Sequence, residues 1–434
     1  MKRVDEVFIP GGMPTETYVK REHLSLEPEL EEWVSRKQKP LLSVSGPTKS
    51  GKTVLLKRLI PNAVWLSGGA IDSAQDFWEA ICDELEVFTD HSIAGAVEGT
   101  IGESYNAEID AHIARGSAES HSESSRLKSI ARSRASQPRP AARKWLRKLM
   151  REDQAPAIIV DDFHYIESSE QLNIVRGLKD LIFDGLGVIV AAVPHRAYDV
   201  VRVEKEMTAR VETLTVEPWS NHDLALIARQ GFSALNFQCN PEIVDRLVDE
   251  SFGSPHLMQT HCLELCHENG ARRGSEHALT LTAPEWKPFF EQKASATSKS
   301  AFDLLKTGPR TRTDRKPRIL KSGVHTDIYG AVLAAIEHTG PRTMLTYDEI
   351  RSALREVMKS DLPQRHEVTN VLDQMTNIAR EKIEGEPVLD YDPEYSTLHL
   401  VDPFFAYYLR WAPSSLKAIH LPESRNTTLL PPTD

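Results

Sequence analysis

Cysteine is scarce in this sequence: four residues (Cys82, Cys239, Cys262, Cys266) in 434. None sits at zinc-finger or paired-disulfide spacing, which excludes a disulfide-stapled scaffold and fits a reducing compartment. Cys262 and Cys266 lie one helical turn apart, beside His261 and His267. The two histidines would point off the cysteine face, so the pair reads as small buried apolar side chains rather than metal ligands. Long apolar runs are missing as well. No stretch approaches the roughly 20 residues that cross a bilayer, and the opening Met1-Lys2-Arg3-Val4-Asp5-Glu6 has no apolar signal core. The expectation is a cytoplasmic protein without a membrane partner. A basic excess is also absent: 52 Lys and Arg against 63 Asp and Glu give a net charge of −11. Any nucleic-acid contact must then come from a local patch, not from the field of the whole molecule. No repeat array and no nuclease, TIR-like or protease signature occurs.

What is present is an ordinary globular composition, 40% hydrophobic and 26% charged, long enough for two or three domains. It also holds one octapeptide around which the rest can be ordered: Gly46-Pro47-Thr48-Lys49-Ser50-Gly51-Lys52-Thr53. This fits G-x-x-x-x-G-K-[ST] at every position. The apolar run Leu41 to Ser45 leads in, and the helical run Val54 to Ile60 leads out, which is the strand–loop–helix context of a phosphate-binding loop. Gly46 and Gly51 permit a tight turn with amides facing inward. Lys52 is expected to reach the β- and γ-phosphates, and the Thr53 hydroxyl to take a Mg²⁺ position. The implied ligand is a nucleoside triphosphate, ATP or its product ADP, with Mg²⁺.

Residues 1–39 precede the first core strand. Tyr18 and Val19 there are expected either to close over a nucleotide base or to serve as a packing strut. Continuous apolar runs at Ala157 to Val160 and Gly187 to Val193 read as strands buried on both faces. With Val211 to Val216 they predict a parallel α/β sheet domain over residues 40–217. An insertion, 90–142, interrupts it. Its first part reads as a hairpin or a floppy segment; from Arg126 to Arg151 ten basic residues and no acid occur. That run reads either as a solvated or disordered segment or as a surface for DNA or an acidic partner. Ser168 and Gln171 are spaced as a capping box. Residues 218–297 read as an all-α lid, 298–322 as a polar, basic linker, and 413–434 as a loose tail. Residues 323–412 have the helix–helix–helix–hairpin order of a winged helix-turn-helix.

Hydrolysis of a γ-phosphate needs a metal, an oriented water and positive charge. Asp161, at a strand tip, is placed for the Mg²⁺ shell. Asp162 beside it is placed to orient water, where many such ATPases carry glutamate; the shorter side chain predicts slow turnover. Arg196, after the fourth core strand, and Arg210, before the fifth, are candidates to touch the transferring phosphate, Arg196 in cis and Arg210 across a subunit interface; a surface ion pair is the alternative for each. The turn Gly253-Ser254-Pro255 starts a lid helix with a fixed φ, and Pro255 is a candidate nucleotide contact.

Together GPTKSGKT, IIVDD, VIVAAVPHR, the arginine-led last strand before EPWS, and the GSP turn resemble the STAND class of P-loop NTPases, relatives of the AAA+ and origin-recognition ATPases. The ending LHLVDPFF with Tyr408-Leu409-Arg410-Trp411 is similar to winged-helix domains of prokaryotic ATPases of that group. The resemblance implies phosphate and Mg²⁺ at Gly46 to Thr53, metal at Asp161, water at Asp162, and a sensor role for Arg196. His256 stands where the origin-recognition type carries a lid arginine. The implied function is a nucleotide-controlled switch, closed with ADP and opened by ATP plus a trigger. It would self-associate and act through a separately encoded effector or sensor, in antiviral defence or regulation. The alternative is a DNA-binding ATPase of the initiator or transposition-regulator type.

Overall fold

The computed structural model describes residues 1–92, 130–134, 137–193, 210–309, 315–340, 342–383 and 387–412. Among the described residues the first half holds seven strands: β1 (Leu41–Ser45), β2 (Val64–Ser67), β3 (Phe88–Ser92), β4 (Ile130–Arg134), β5 (Ile158–Asp161), β6 (Val188–Ala192) and β7 (Val211–Thr215). Five form one sheet in the order β2-β5-β6-β1-β7, parallel throughout. The alternation of side chains along each strand serves two layers of helix. Leu42, Val44, Ile159 and Ile189 face the helices Leu26–Ser35 and Lys52–Leu59 through Leu30, Trp33, Leu55 and Leu56. Leu41, Ile158, Val160 and Val188 face the opposite layer, where Phe77, Trp78, Ile174 and Leu178 pack.

Two local expectations are corrected here. The helix Ser168–Phe183 has Glu167 as its N-cap, with no side-chain cap. Gln171 is buried instead, and its amide donates to the carbonyls of Phe163 (3.1 Å) and Ile166 (2.9 Å). The basic run Arg126 to Arg151 contains a packed helix, Pro138–Arg151, begun by proline and burying Ala142 and Leu146. Ala141 and Met150 pack against the same core, but these few apolar residues do not stand out from ten cations. β3 and β4 pair antiparallel, Phe88 opposite Arg134, and so close the base of the insertion. The hairpin expected within Ala94 to Arg115 lies outside the described residues.

The second half is joined by one core. Helices Asn221–Ala234, Pro241–Asp249 and Pro255–Glu268 are capped by the side chains of Ser220, Asn240 and Ser254. The helix Trp286–Thr297 follows. The helix Lys299–Thr307 buries Ala301, Phe302 and Leu305, so the stretch expected to be a linker is in part core. Its cations hid the apolar stripe. Helices Ile328–His338, Tyr347–Val357 and Arg365–Lys382 then pack with a three-stranded antiparallel sheet of Met344–Thr346, Leu389–Asp392 and Thr397–Leu400. The last helix, Pro403–Trp411, turns back onto the helix Trp286–Thr297: the Tyr407 hydroxyl donates to the Phe290 carbonyl (2.9 Å). Trp411 lies 4.7 Å from the Phe290 ring. Glu250, fully buried, receives Trp411 Nε1–H (2.7 Å) and pairs with Arg410 (3.0 Å) and Arg246 (3.2 Å). Val4, Val7 and Phe8, from the other end of the chain, belong to the same core. The helices from Asn221 to Thr307 and the elements from Ile328 to Trp411 therefore form one body. It meets the sheet unit through two crossings: Val19 to Leu26, and Val216 to Leu224.

Burial also sets a pH dependence. His261, 1% exposed, lies with Nε2 3.2 Å from the Glu250 carbonyl, and burial pushes its pKa down from 6.5 to about 4. The unfolded chain takes up this proton first, so the contribution is intact above pH 6.5 and is lost as pH falls toward 4. Between pH 7 and pH 5 the second body should lose about 2 kcal/mol from this group. His261→Gln should remove that part of the pH slope in urea unfolding; an unchanged slope would discard the assignment.

Candidate functional site

The octapeptide folds as a cradle at the carboxyl end of β1. A Cβ on Gly46 would sit 2.6 Å from the Val216 carbonyl oxygen, so only glycine lets the loop pass β7. Gly51 (φ 95°) and Lys49 (φ 58°) are both left-handed, which turns successive amides inward. The helix Lys52–Leu59 has Gly51 as N-cap and no side-chain cap. Its first amides and its positive end are thus left to the cradle.

Lys52 is buried, with Nζ donating to the carbonyls of Gly46 (2.8 Å) and Pro47 (2.9 Å). The Thr53 hydroxyl donates to Asp161 Oδ2 at 2.9 Å, so the two expected metal positions adjoin. A hydroxyl and a carboxylate oxygen are suitable donors for Mg²⁺. When bound, Mg²⁺ neutralises charge on phosphate oxygens. Thr48 Oγ1 and Ser50 Oγ are buried without a hydrogen-bond partner among the described residues. Two orphaned hydroxyls, inward amides and a buried ammonium fit a phosphate chain.

The cradle forms one wall of a cleft of about 730 Å³, whose other walls include Tyr18, Val19, Trp219, Ile227 and Pro255. That volume suits a nucleotide-sized ligand. The Tyr18 hydroxyl donates to Glu27 (2.6 Å) and its ring lies under the Arg58 guanidinium (4.1 Å). Burial, then the Glu27 carboxylate, raises its pKa. Val19 is buried in the second body's core while lining the cleft. Asp162 follows Asp161 in left-handed backbone (φ 55°). A Cβ on Gly68 would lie 2.2 Å from the Asp162 carbonyl oxygen, so Gly68 supports this conformation from β2.

The remaining candidates are less close. Arg210 precedes β7 at the end where Val211 pairs with Leu41, about 17 Å along the strand from the cradle. Its guanidinium stacks 4.9 Å from the ring of Phe183, which is 61% exposed. This chain's own cradle is out of its reach at that separation. Arg196 lies outside the described residues. At the GSP turn, Gly253 has φ 68°, and Ser254 Oγ accepts the Leu257 amide. The helix starting at Pro255 is thus capped by its own serine. Cys262 and Cys266 are free and buried, and burial raises both thiols, Cys266 to about 12. No three potential ligands assemble for a metal among the described residues.

Contacts that sequence reasoning missed tie the cradle to the second body. Trp219 Nε1 donates to the Ser50 carbonyl (2.7 Å). Arg21, 4.7 Å over the Trp219 ring, donates to the Glu217 carbonyl (2.7 Å). Lys49 Nζ pairs with Asp402 Oδ1 (2.7 Å) and lies 4.2 Å from the Phe404 ring. His256 packs edge-on against Phe404 (4.9 Å), and burial, then Lys49, lowers its pKa. Only the tryptophan in EPWS and the Asp-Pro helix start carried a signal in the sequence.

No known family profile matches the chain, and no curated protein matches it. Solved structures do. The Walker-type ATPase paby2304 of Pyrococcus abyssi is 13% identical, covers 91% of this chain and 99% of its own, and superposes with a TM-score of 0.51. The Aeropyrum pernix ORC2 protein is 12% identical, covering 95% and 97%, with a TM-score of 0.45. Cdc6p from Pyrobaculum aerophilum is 11% identical, also covering 95% and 97%, at 0.41. Among the described residues no helix is long and apolar enough to cross a membrane. With the parallel sheet and the cradle at its carboxyl edge, the likeness to the Pyrococcus protein gives this chain the fold of a Walker-type ATPase.

Proposed function

We propose that the chain binds ATP with Mg²⁺ in this cradle, hydrolyses it slowly, and works as a nucleotide-controlled switch of the STAND kind. In this reading the lid and the last domain move together as one body. The first three helices and the three-stranded sheet of residues 323–412 support a winged-helix reading of that last domain. The carrying observation is the Lys49–Asp402 pair, 2.7 Å, across the two bodies. Asp402 also caps its own helix, accepting the Phe404 amide at 2.9 Å, so its carboxylate is fixed at the lip of the cradle. A γ-phosphate would compete with that carboxylate for Lys49 and repel it; ADP would not. Arg210 acts, on this reading, in the cradle of a neighbouring copy, and Arg196 in cis.

A partly exposed ion pair of this kind is worth about 1 kcal/mol. Inverting a 1:99 equilibrium takes about 5.5 kcal/mol. The latch therefore biases the switch, and a trigger, self-association or an effector protein must supply the rest. Asp402→Asn should raise the open or assembled fraction about fivefold at fixed ATP, read by mass photometry with ADP and ATP. Equal distributions for variant and wild type in both nucleotides would remove the latch from the mechanism.

A second reading, a DNA-handling ATPase, is favoured by a stripe of cations on the helix Pro138–Arg151. The helix Arg365–Lys382, which would enter the major groove in a winged helix, offers little charge: Arg380 is tied to Asp390 at 2.5 Å, and Glu367 and Asp373 share the helix.

A further inference from the structure

The helix Pro138–Arg151 has two kinds of cation. Arg143 and Arg147 are clamped on Asp180, and Arg143 also donates to the Gly177 carbonyl. They hold the helix to the domain. Arg139, Lys144, Lys148 and Arg151 are exposed and form no ion pair among the described residues. Lys144, Lys148 and Arg151 follow an i, i+4, i+7 spacing, so they line one face of a 14-residue helix about 21 Å long. Trp145 stands among them, 37% exposed, with Lys148 Nζ 4.7 Å from its ring. It joins none of the hydrophobic clusters among the described residues.

We propose that this face binds the backbone of a single-stranded nucleic acid, with Trp145 stacking on a base. This deepens the DNA-handling reading and rests on it. In a protein of net charge −11, an unpaired cationic stripe is the one kind of local patch that can hold a polyanion. An exposed aromatic between cations is what distinguishes a single strand, whose bases have free faces, from a duplex. An anionic membrane is the poorer fit. The apolar side of the helix, Ala142 and Leu146, is fully buried in the sheet domain, which leaves no apolar face to insert.

The test is fluorescence anisotropy of a labelled 24-nucleotide mixed-sequence oligonucleotide, single-stranded and as duplex, titrated with the full chain without nucleotide. Three phosphates neutralised on a single strand predict a fall in affinity of about 20-fold between 50 and 200 mM salt. The triple variant K144E/K148E/R151E should bind at least about 30-fold more weakly, while K287E on the lid binds as wild type. W145A should weaken single-strand binding about tenfold with the salt slope kept, and leave duplex binding unchanged. Near-ultraviolet circular dichroism and magnesium–ATP uptake verify that the variants are folded.

If wild type binds no oligonucleotide, the DNA-handling reading falls with the site. If it binds and the triple variant binds equally, that reading stands and this site is wrong. Equal loss on duplex from W145A overturns the single-strand assignment. Loss in the triple variant of binding to phosphatidylserine vesicles, with oligonucleotide binding intact, assigns the face to lipid.

Discussion

Lys52→Ala should abolish measurable uptake of magnesium–ATP, a loss of at least about 100-fold in affinity by calorimetry. The ammonium is buried and turned onto the carbonyls of Gly46 and Pro47. It is held where the triphosphate belongs and needs only to exchange two carbonyl acceptors for charged oxygens. Hydrogen bonds to ionised acceptors are roughly twice as strong as neutral ones, so the exchange favours the bound state. Alanine removes the charge and leaves the carbonyls of Gly46 and Pro47 without this donor, a cost of about 1–3 kcal/mol. The fold should survive, with unfolding in urea shifted by no more than that. Unchanged calorimetry in this variant would mean that the cleft binds something else.

The second large effect concerns the two strand-tip carboxylates. Asp161→Asn should weaken the Mg²⁺-dependent part of ATP binding, because the oxygen that now accepts the Thr53 hydroxyl would carry no charge toward the metal. Asp162→Asn should leave ATP affinity within about threefold of wild type and lower the hydrolysis rate 10²- to 10³-fold, the usual share of a lost general base. Wild-type turnover, for the isolated chain, should stay below about 1 s⁻¹. Asp162 has one methylene less than glutamate, and its backbone is confined in the left-handed region against Gly68. Asp162→Glu should therefore raise the rate. Single-turnover phosphate release separates these outcomes from binding. If Asp162→Asn hydrolyses as fast as wild type, the water is oriented by another group.

The sheet domain was legible in the chain because its strands are short, wholly apolar and bounded by turn chemistry. The cradle was legible because a phosphate-binding loop tolerates so few residues. What escaped were features with no local signature. Leu146 and Ala142 are two apolar residues in a run of cations, and the helix they anchor becomes visible only when Trp78 and Gly177 are in place against it. Phe302 and Leu305 in the stretch expected to be a linker are the same case. Gln171 is a fair capping residue by spacing, but the carbonyls of Phe163 and Ile166, left by the turn after Asp162, claim its amide first. The pairing of Lys49 with Asp402 spans the chain, and no periodicity or motif connects the two. That Arg210 heads the last strand is legible in the chain, but its distance from the cradle along β1 emerges only with the register of Val211 on Leu41.

The core shared by the helices from Asn221 to Thr307 and the elements from Ile328 to Trp411 limits how such a protein can be recombined. A chimera that exchanges only residues 323–412 would take Trp411 from Phe290 and strip the buried Glu250 of Arg410 and of the Trp411 indole, leaving it Arg246 alone among its described partners. A workable graft has to carry the first eight residues, with Val4, Val7 and Phe8, together with everything from Ser220 onward. In its inheritance, then, the chain behaves as two cassettes with interleaved ends.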